Sequence, residues 1–393
     1  MSLRYNRVRL TLFSNQQVST NTKITLFIRI CYPELFRQKL PAELPPAEHG
    51  EHQMDIKNED PVFRQQWRQS PVQEAEITRW VREMETAGLI RRSMSPNGAP
   101  TFCVREPDGW RIVHDYRAMN LNTTRRTMPM PRKDRILEAM QSGYFLSCLD
   151  LLSGYYQFRM REKDIPYTAF QAPDGLYEYL VVPMGLSNAP ATFNDGIRRV
   201  LDDLADVCQS YFDDIYVVTR SKSLADHLEA LDRVFARLND HKFFVKLSKC
   251  VFCADTIPCL GDMVGRDGIQ INPKKVEAIQ HWPLPSTRHE LQSFMGTAVY
   301  VQRFCKTFAD DAGPLFDMLK SKAQKLTWTA TLRRHFEQLK HHIGQTPVLA
   351  IADFSKDFFI RMDASDFAMG GVLFQKEIKD GEAVERPVAF AGR

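Results

Sequence analysis

The sequence predicts an α+β fold, because hairpin patterns and amphipathic helix patterns follow one another without the regular alternation typical of a parallel sheet. One hairpin is indicated by Thr101 to Val104 and Trp110 to His114, which flank the turn Pro107-Asp-Gly109. A second is indicated by Val207 to Thr219, where β-forming residues lie on both sides of an Asp-Asp pair. Leu224 to Leu238 has apolar residues at helical spacing, which predicts a helix.

The first helix of the chain is expected to begin at Pro71. Ser70 can cap its N-terminus, proline suits the first helical position, and Gln73 completes a capping-box pattern. Gly88 can end the helix in a left-handed conformation. One apolar face is marked at helical spacing by Ile77, Trp80, Val81 and Met84.

Shorter signals predict the remaining elements: a strand from Phe145 to Leu149 that ends at Asp150, a hairpin over Val251 to Ile271, helices from Pro273 to about Lys320, and a strand from Phe358 to Met362 that ends at Asp363. Residues 1–40 contain no clear motif, and we expect a leader of irregular structure there.

Composition narrows the class of protein. A chain of 393 residues is too long for one ordinary core, so several lobes are expected. Its 44% hydrophobic and 25% charged residues fit a soluble globular protein. No apolar run approaches the roughly 18–20 residues that span a bilayer, and the N-terminus lacks a signal-peptide pattern. We therefore expect a cytoplasmic or nuclear protein that is neither secreted nor bound to a membrane.

Cysteines and basic residues give weaker signals. Eight cysteines in so long a chain do not indicate a disulfide framework. Cys250, Cys253 and Cys259 lack a fourth ligand, so small buried residues are favoured over a zinc site. The basic stretch from Lys320 to His342 suits a polyanion, but charge alone favours a solvated helix surface.

Two acidic strand ends form the chief candidate site. Asp213 and Asp214 are predicted at the tip of a hairpin with apolar arms, and Asp150 ends an apolar strand before a Gly-containing turn. Taken singly, an acidic pair is more often a solvated turn and Asp150 a helix N-cap. Taken together, the strand ends favour a shared metal site, because nucleotidyl transfer uses carboxylates to hold two divalent cations about 3.5–4 Å apart.

Longer sequence blocks then occur in a fixed order. They are Gly88-Leu-Ile-Arg-Arg-Ser-Met-Ser-Pro96, Asp108-Gly-Trp-Arg-Ile-Val-His-Asp-Tyr-Arg-Ala-Met-Asn120, Phe145-Leu-Ser-Cys-Leu-Asp-Leu-Leu-Ser-Gly-Tyr-Tyr-Gln157, Tyr177-Glu-Tyr-Leu-Val-Val-Pro-Met-Gly-Leu-Ser-Asn-Ala-Pro-Ala-Thr-Phe193, Tyr211-Phe-Asp-Asp214, Leu247-Ser-Lys-Cys250, Phe294-Met-Gly296 and Phe359-Ile-Arg-Met-Asp-Ala-Ser365. From about Leu40 to its end, the chain resembles the reverse transcriptases of gypsy-type (Metaviridae) long-terminal-repeat retrotransposon polyproteins. One short block is weak, but this many in order are very specific.

The resemblance implies a right-hand polymerase fold of fingers, palm and thumb that copies RNA or DNA templates from a primer with dNTPs. Residues 1–40 would be a leader, 41–271 fingers and palm, 272–325 thumb-like helices, and 326–393 a connection and the start of an RNase H-like segment. By the same resemblance, two Mg²⁺ ions, or Mn²⁺, would be held by Asp150, the Leu151 carbonyl, Asp213 and Asp214.

The resemblance also implies nucleotide and primer contacts. Tyr155 would lie beneath the sugar of the incoming nucleotide and exclude a 2′-hydroxyl, although an aromatic residue there could also be core. The other nucleotide-binding candidates are Arg111 and the weaker Arg105 on the triphosphate, Met184 and Gly185 in the adjacent loop, and Lys249 near the departing pyrophosphate. The primer and template candidates are Leu260, Gly261, Tyr300, Arg303 and Lys306.

The C-terminal segment resembles the beginning of a ribonuclease H domain. Asp363 matches the first carboxylate of such an active site, whereas the later acids Glu377, Asp380, Glu382 and Glu385 fall in a charged loop. The sequence stops before the position of the second family carboxylate. We therefore expect no RNase H activity in this chain, which would be a fragment or a degenerate copy.

Two alternatives remain open at this point. Substitutions in otherwise matching blocks, at His114, Tyr167, Met184 and Phe212, would also fit a catalytically weak or inactive nucleic-acid-binding remnant. An RNA-directed RNA polymerase of similar fold is the other alternative, and Tyr155 opposes it because its ring would exclude ribonucleotides. The intact acids favour the reverse transcriptase.

Overall fold

The computed structural model describes residues 20–106, 109–127, 132–321, 324–364, 369–379 and 382–392. The Pro107-Asp108 part of the predicted first turn, Asp380 and residues 1–19 of the leader lie outside these ranges. Among the described residues, no helix is both long and apolar enough to cross a bilayer.

The helices are α1 (Thr20–Cys31), α2 (Pro71–Thr86), α3 (Arg117–Leu121), α4 (Lys133–Met140), α5 (Ala189–Leu201), α6 (Leu224–Asp240), α7 (Pro273–Gln280), α8 (Arg288–Tyr300), α9 (Phe308–Lys320) and α10 (Ala330–Gly344). The strands are β1 (Glu51–His52), β2 (Ile90–Arg92), β3 (Thr101–Glu106), β4 (Gly109–His114), β5 (Phe145–Asp150), β6 (Arg159–Met160), β7 (Phe170–Ala172), β8 (Gly175–Tyr179), β9 (Cys208–Tyr211), β10 (Asp214–Thr219), β11 (Val251–Ala254), β12 (Thr256–Cys259), β13 (Asp262–Gly265), β14 (Gly268–Gln270), β15 (Phe359–Ala364), β16 (Met369–Lys379) and β17 (Glu382–Gly392).

The described chain forms two compact units. The first lies within residues 1–131 and 147–253, and the second within 132–146 and 254–393. This division does not test the predicted assignment of fingers, palm, thumb and connection, which stays a prediction.

The first unit contains the sheet that carries the predicted acids. Its strand order is β11-β5-β10-β9, so β5 and β10 are central and their apolar residues are buried. Helix α6 covers this sheet with a buried face that includes Leu231, Val234 and Phe235. Burial of such side chains stabilises the fold by roughly 1.5–3 kcal/mol each. The sheet is therefore a rigid support for the residues at its strand ends.

Local signals predicted helix α2 well. Ser70 accepts a hydrogen bond from the Gln73 backbone N–H, and the Gln73 side chain accepts one from the Ser70 N–H. Ile77, Val81 and Met84 are buried, and Gly88 has a φ of 70°. The predicted capping box and left-handed ending are both present.

Helix α1 was not predicted, because residues 1–40 were expected to be irregular. Ile24, Phe27 and Ile28 are buried at helical spacing, and the Phe27 ring lies 6.2 Å from Phe235 on α6. Just after α1, the Tyr32 hydroxyl donates to the Asp232 carboxylate at 2.6 Å. The packing partners are some 200 residues away in sequence, so the local pattern could not show them.

The second unit combines small sheets with helices α7 to α10. The predicted hairpin over 251–271 is wrong in detail: β11 joins the sheet of the first unit's strands, and β12, β13 and β14 form a separate antiparallel sheet. The helices pack around aromatic side chains, with the Phe294 and Phe336 rings 4.7 Å apart. Strands β15 to β17 form a third antiparallel sheet.

Candidate active site

Asp150 stands at the end of a strand whose backbone is fixed on both sides. Leu146, Cys148 and Leu149 are buried in β5. The Lys246 N–H donates to the Asp150 carbonyl at 2.8 Å, and the Leu152 N–H donates to the Phe244 carbonyl at 2.9 Å. The segment around the carboxylate is thus held to the chain that precedes β11.

Asp213 and Asp214 lie at the β9–β10 turn, but only one of them is in the loop. Tyr211 pairs with Asp214, which leaves Phe212 and Asp213 as the loop residues. The prediction that both acids form the tip is therefore wrong for Asp214, which begins β10. Phe212 has a φ of 53°, and its N–H donates to the Asn194 side-chain oxygen at 3.1 Å. Asp213 is exposed and Asp214 half-buried.

The turn and the end of β5 are joined directly. The Leu151 N–H donates to the Asp213 carbonyl at 3.3 Å. Gly154 lies against the same turn, since a Cβ built on it would be 3.5 Å from the Asp213 Cβ and 2.9 Å from the Phe193 ring. These contacts bring together acids that are separated by more than sixty residues in sequence.

Burial and mutual repulsion act on the carboxylates. Burial raises the pKa of Asp150; Lys249, whose Nζ lies 3.5 Å from the Asp150 carboxylate, opposes this rise, and Asp213 adds to it. Burial also raises the pKa of Asp214, against a 3.0 Å hydrogen bond from the Tyr216 hydroxyl, and Asp213 and Asp150 raise it further. A cation among these side chains would relieve the repulsion that favours protonation.

The donor set suits a hard divalent cation, because carboxylate oxygens are the ligands that Mg²⁺ prefers. Among the ranges that the structure describes, no three His, Cys, Asp or Glu side chains already form a closed ligand cluster. The Lys249 ammonium instead lies beside Asp150. The three acids are therefore assembled by their backbone, while their side chains are not yet gathered around one point.

Cys250, Cys253 and Cys259, the cysteines nearest to a zinc-ligand spacing, do not share a strand pair. Cys253 lies on β11 and Cys259 on β12, which belong to different sheets. Burial raises the pKa of the Cys250 and Cys253 thiols to about 12. At neutral pH both are therefore thiols, whereas metal ligation uses the thiolate.

Tyr155 lies beside the acidic turn. Its ring packs 5.2 Å from Phe193, whose ring also lies close to Gly154. Burial raises the pKa of the Tyr155 phenol, and the negative charge of Asp213 raises it further. The side chain is only partly buried, so the ring is accessible beside the acids. Its place beneath the sugar of the incoming nucleotide stays a prediction.

Arg111, Met184 and Gly185 lie together. An Arg111 Nη donates to the Met184 sulfur at 3.0 Å. Burial raises the pKa of Tyr156, and a hydrogen bond with Tyr179 and the Arg111 charge oppose this rise. Gly185 has a φ of 99°, and its carbonyl accepts from the Asn120 side chain at 2.8 Å. Arg105 lies on the neighbouring strand, with its guanidinium 4.9 Å from the Trp110 ring centre. The loop that contains Met184 and Gly185 is thus in contact with the β3–β4 hairpin, which carries both arginines.

Sequence reasoning assigned no role to several polar residues that shape this region. Asn120 holds Gly185, Asn194 holds Phe212, and Tyr216 donates to Asp214. Asn120 is the last residue of one of the sequence blocks that resemble the family, and this was the signal from which a role for Asn120 could have been predicted.

An open cleft of about 650 Å³ is lined by Trp67, Phe102, His114, Asp115, Tyr116, Arg117, Asn120 and Gly185.

His114 is one of the substituted positions. It is buried between the Thr101 hydroxyl and the Tyr179 hydroxyl, each 2.8 Å from a ring nitrogen. Burial lowers the pKa of His114 to about 3, so the ring is neutral at physiological pH. Its role in the structure is therefore that of a satisfied core side chain.

The primer and template candidates all lie in the second unit. Leu260 and Gly261 form the loop between β12 and β13, and the Tyr300 hydroxyl donates to the Leu260 carbonyl at 3.3 Å. Arg303 was expected to track a nucleic-acid backbone, but its guanidinium forms an ion pair with buried Asp262. Lys306 is exposed beyond α8.

Asp363 is exposed on β15, opposite Gly370 of β16. The expectation that the later acids fall in a charged loop is wrong for three of them: Glu377 lies on β16, and Glu382 and Glu385 lie on β17. Two of these acids pair with arginines, Glu385 with Arg361 at 2.7 Å and Glu377 with Arg386 at 3.2 Å.

Comparison with known proteins identifies the two segments. Residues 100–287 match the family model described as reverse transcriptase (RNA-dependent DNA polymerase), and residues 328–393 match the RNase H-like domain found in reverse transcriptase.

Curated relatives are polyproteins. The retrovirus-related Pol polyprotein from transposon 297 of Drosophila melanogaster is 36% identical over 87% of this chain and 32% of its own length. That of transposon opus, also from Drosophila melanogaster, is 34% identical over 85% of this chain and 34% of its own length. The Tf2-3 polyprotein of Schizosaccharomyces pombe is 32% identical over 75% of this chain and 22% of its own length. The chain spans about a third of the first two.

Solved structures support the fold. A foamy viral protease-reverse transcriptase in complex with double-stranded DNA has a TM-score of 0.84 at 21% identity, covering 99% of this chain and 67% of that chain. The foamy viral enzyme in complex with an RNA/DNA hybrid has a TM-score of 0.82 at 21% identity, over 99% of this chain and 52% of that one. These findings confirm the predicted α+β reverse transcriptase fold with an RNase H-like segment. The chain belongs to the reverse transcriptase family of retrotransposon Pol polyproteins, in keeping with its gypsy-type motifs.

Proposed function

We propose that this chain is an RNA-directed DNA polymerase that adds deoxynucleotides to a primer. The observation that carries the proposal is the hydrogen bond from the Leu151 N–H to the Asp213 carbonyl, which joins two acidic strand ends. Asp150 and Asp213 would hold the catalytic cations, with Asp214 assisting and Leu151 offering its carbonyl. Bound Mg²⁺ or Mn²⁺ would stabilise the negative charge that develops on the attacking and leaving oxygens.

Other side chains of the protein would bind the phosphates of the nucleotide and offset the charge of pyrophosphate. Arg111, a planar donor on an exposed hairpin, would hold phosphate oxygens of the incoming nucleotide, with Arg105 as a weaker second cation. Because Arg111 contacts Met184, the loop containing Gly185 would lie beside the same phosphates. Lys249, next to Asp150, would offset the charge of departing pyrophosphate.

Tyr155 would select the sugar. Its ring is braced by Phe193 and lies beside Asp213, so a 2′-hydroxyl on a nucleotide at the acids would meet an aromatic ring. This arrangement favours dNTPs over ribonucleotides and opposes the RNA polymerase alternative.

The partners follow from the same proposal. The similar foamy viral enzyme is described in complexes with double-stranded DNA and with an RNA/DNA hybrid. We expect this chain to bind an RNA or DNA template paired with a primer, with contacts to the sugar-phosphate backbone from the second unit. Lys306 is an exposed cation available for that purpose.

We also propose that residues 1–393 alone lack RNase H activity. Asp363 is exposed, while Glu377 and Glu385 are engaged by arginines instead of sharing a site with it. Incubation of a labelled RNA/DNA hybrid with Mg²⁺ should leave the RNA strand intact. Cleavage that Asp363→Asn removes would contradict this.

Primer extension tests the polymerase proposal. Extension of oligo-dT on poly-rA with Mg²⁺ is expected for the chain and absent for Asp213→Asn, while binding of the duplex stays largely unchanged because phosphate contacts dominate affinity. Duplex binding without extension would instead support the non-catalytic remnant. Undiminished extension by Asp213→Asn would show that the acidic turn is not the site.

A further inference from the structure

The loop between β12 and β13 is unusually strained for its sequence. Cys259 pairs with Asp262, so Leu260 and Gly261 make the whole connection, and their φ values are 52° and 91°. Glycine adopts such a backbone readily, but a leucine does so at a cost of roughly 1–2 kcal/mol. A conformation of this kind persists only where surrounding contacts hold it.

Three side chains hold three successive residues of this turn. The Tyr300 hydroxyl donates to the Leu260 carbonyl at 3.3 Å, the Lys275 Nζ donates to the Gly261 carbonyl at 2.5 Å, and Arg303 forms an ion pair with Asp262. They come from α7, the end of α8 and the short turn Gln302–Phe304. The turn is therefore fixed from three directions within the second unit.

Two of these side chains also contact each other. The Lys275 ammonium lies 3.9 Å from the centre of the Tyr300 ring, a distance at which a cation is attracted to the ring face. A Cβ on Gly261 would be 2.8 Å from the Tyr300 hydroxyl and 3.1 Å from Lys275 Nζ. Only a glycine allows both donors to approach the backbone this closely.

The charge of Arg303 is already used inside the protein. The Asp262 side chain is buried, and its second oxygen has no hydrogen-bond partner among the described residues. The guanidinium is thus the counter-charge of a buried carboxylate. A cation committed in this way contributes little to a phosphate contact.

We propose that Lys275, Tyr300 and Arg303 are positioning residues, which set the Leu260–Gly261 turn so that it places the primer end. This inference rests on the proposed polymerase function, in which that turn contacts the primer. It assigns a role to Lys275 and reassigns Tyr300 and Arg303 from contact with the duplex to support of the turn.

Salt dependence separates positioning from direct phosphate contact. A cation that binds a phosphate releases a counterion, and its loss changes the slope of log K against log salt by about 0.9. A cation that acts through the turn leaves the slope unchanged and lowers the extension rate, because small misplacements of a reacting group are costly.

The experiment compares the unsubstituted chain with Lys275→Met, Tyr300→Phe, Gly261→Ala and the control Lys274→Met, which removes the same charge from an exposed neighbour on α7. Extension rates are measured at saturating primer–template, and duplex affinity is measured over a range of salt. We expect Lys275→Met, Tyr300→Phe and Gly261→Ala each to lower the rate roughly 10-fold with an unchanged salt slope. Lys275→Arg should restore most of the rate, and Lys274→Met should extend normally.

The outcomes are distinguishable. A normal rate for Lys275→Met, or a salt slope that falls by about one unit, would overturn the positioning role and leave the polymerase proposal standing. An unsubstituted chain that binds primer–template and never extends it would overturn both. If loss of Lys275 unfolds the unit, the test can still be made with Gly261→Ala, which changes no charge.

Discussion

The β9–β10 turn and the β12–β13 turn both begin with a left-handed residue, but the charges around them are opposite. Each is a two-residue loop closed by a strand pair, and the first loop residue has a φ of 53° in Phe212 and 52° in Leu260. The β9–β10 turn meets the carboxylates of Asp150 and Asp214. The β12–β13 turn meets Lys275 and, through Asp262, Arg303.

The difference indicates at which of the two turns the protein's own side chains do not neutralise the local charge. At the β12–β13 turn, the protein supplies its own cations, so the turn is complete without a ligand. At the β9–β10 turn, Lys249 forms an ion pair with Asp150 and Lys246 acts on it more weakly, against three carboxylates. Like charges held this close favour either protonation or a bound cation. The proposed polymerase function requires the second possibility, a bound cation.

The largest expected effect comes from removing one acid. Asp150→Asn should lower the extension rate at least about 1,000-fold, or about 4 kcal/mol of transition-state stabilisation, because a ligand of the cations is lost. Rapid-quench primer extension measures it. Asp206→Asn is the matched control, since Asp206 pairs with Arg233 before β9, away from the turn. A rate for Asp150→Asn within 10-fold of the control would contradict the shared site.

Acid should destabilise the unit that carries the β9–β10 turn. Three of its buried histidines, His52, His114 and His227, have pKa values lowered by burial to about 4, 3 and 4. The unfolded chain binds these protons near pH 6.5 and the folded chain does not, so stability falls as pH drops below about 6.5. Each histidine contributes about 1.4 kcal/mol per pH unit until its folded pKa is reached.

His227 tests this directly, because its ring joins the two strands that end at the acids. Its nitrogens lie 2.8 Å from the Ser147 hydroxyl on β5 and 2.8 Å from the Thr219 hydroxyl on β10. In urea unfolding between about pH 6.5 and 4.5, His227→Gln should reduce the pH slope by about one proton. An unchanged slope would mean that His227 is protonated in the folded chain.

Sugar selection should respond to Tyr155. Tyr155→Ala should reduce discrimination against ribonucleotides by roughly 100-fold, since it removes the ring that is proposed to meet the 2′-hydroxyl. Competing dNTP and rNTP incorporation measures the ratio. Tyr156→Phe is the control, because Tyr156 stacks on Tyr179 within the core. Equal discrimination in both variants would exclude Tyr155 as the selecting residue.

The smallest effect concerns the backbone of the β9–β10 turn. Phe212→Asn should be more stable than Phe212→Val by about 1 kcal/mol, because asparagine tolerates a left-handed φ and a β-branched residue does not. The free energy of unfolding measures the difference. The reverse order would mean that the turn does not keep this conformation.

The features that could be predicted from the sequence are those encoded by local patterns or by a few long motifs. The Ser70 capping box, the β9–β10 hairpin and the position of Asp150 at a strand end all depend on neighbouring residues. The contact of Arg303 with Asp262 could not be predicted, because both residues look exposed in their own segments. Helix α1 was missed for the same reason, since its buried face is covered by α6.

The central claim is that Asp150 and Asp213 bind one set of cations. Electron paramagnetic resonance of Mn²⁺ in the presence of primer–template and nucleotide measures this for the unsubstituted chain, Asp150→Asn, Asp213→Asn and the double variant. We expect each single change to weaken binding at least about 10-fold, with little further loss in the double variant, because groups that share a site are not additive. Losses that simply add, or unchanged binding in Asp150→Asn, would contradict it.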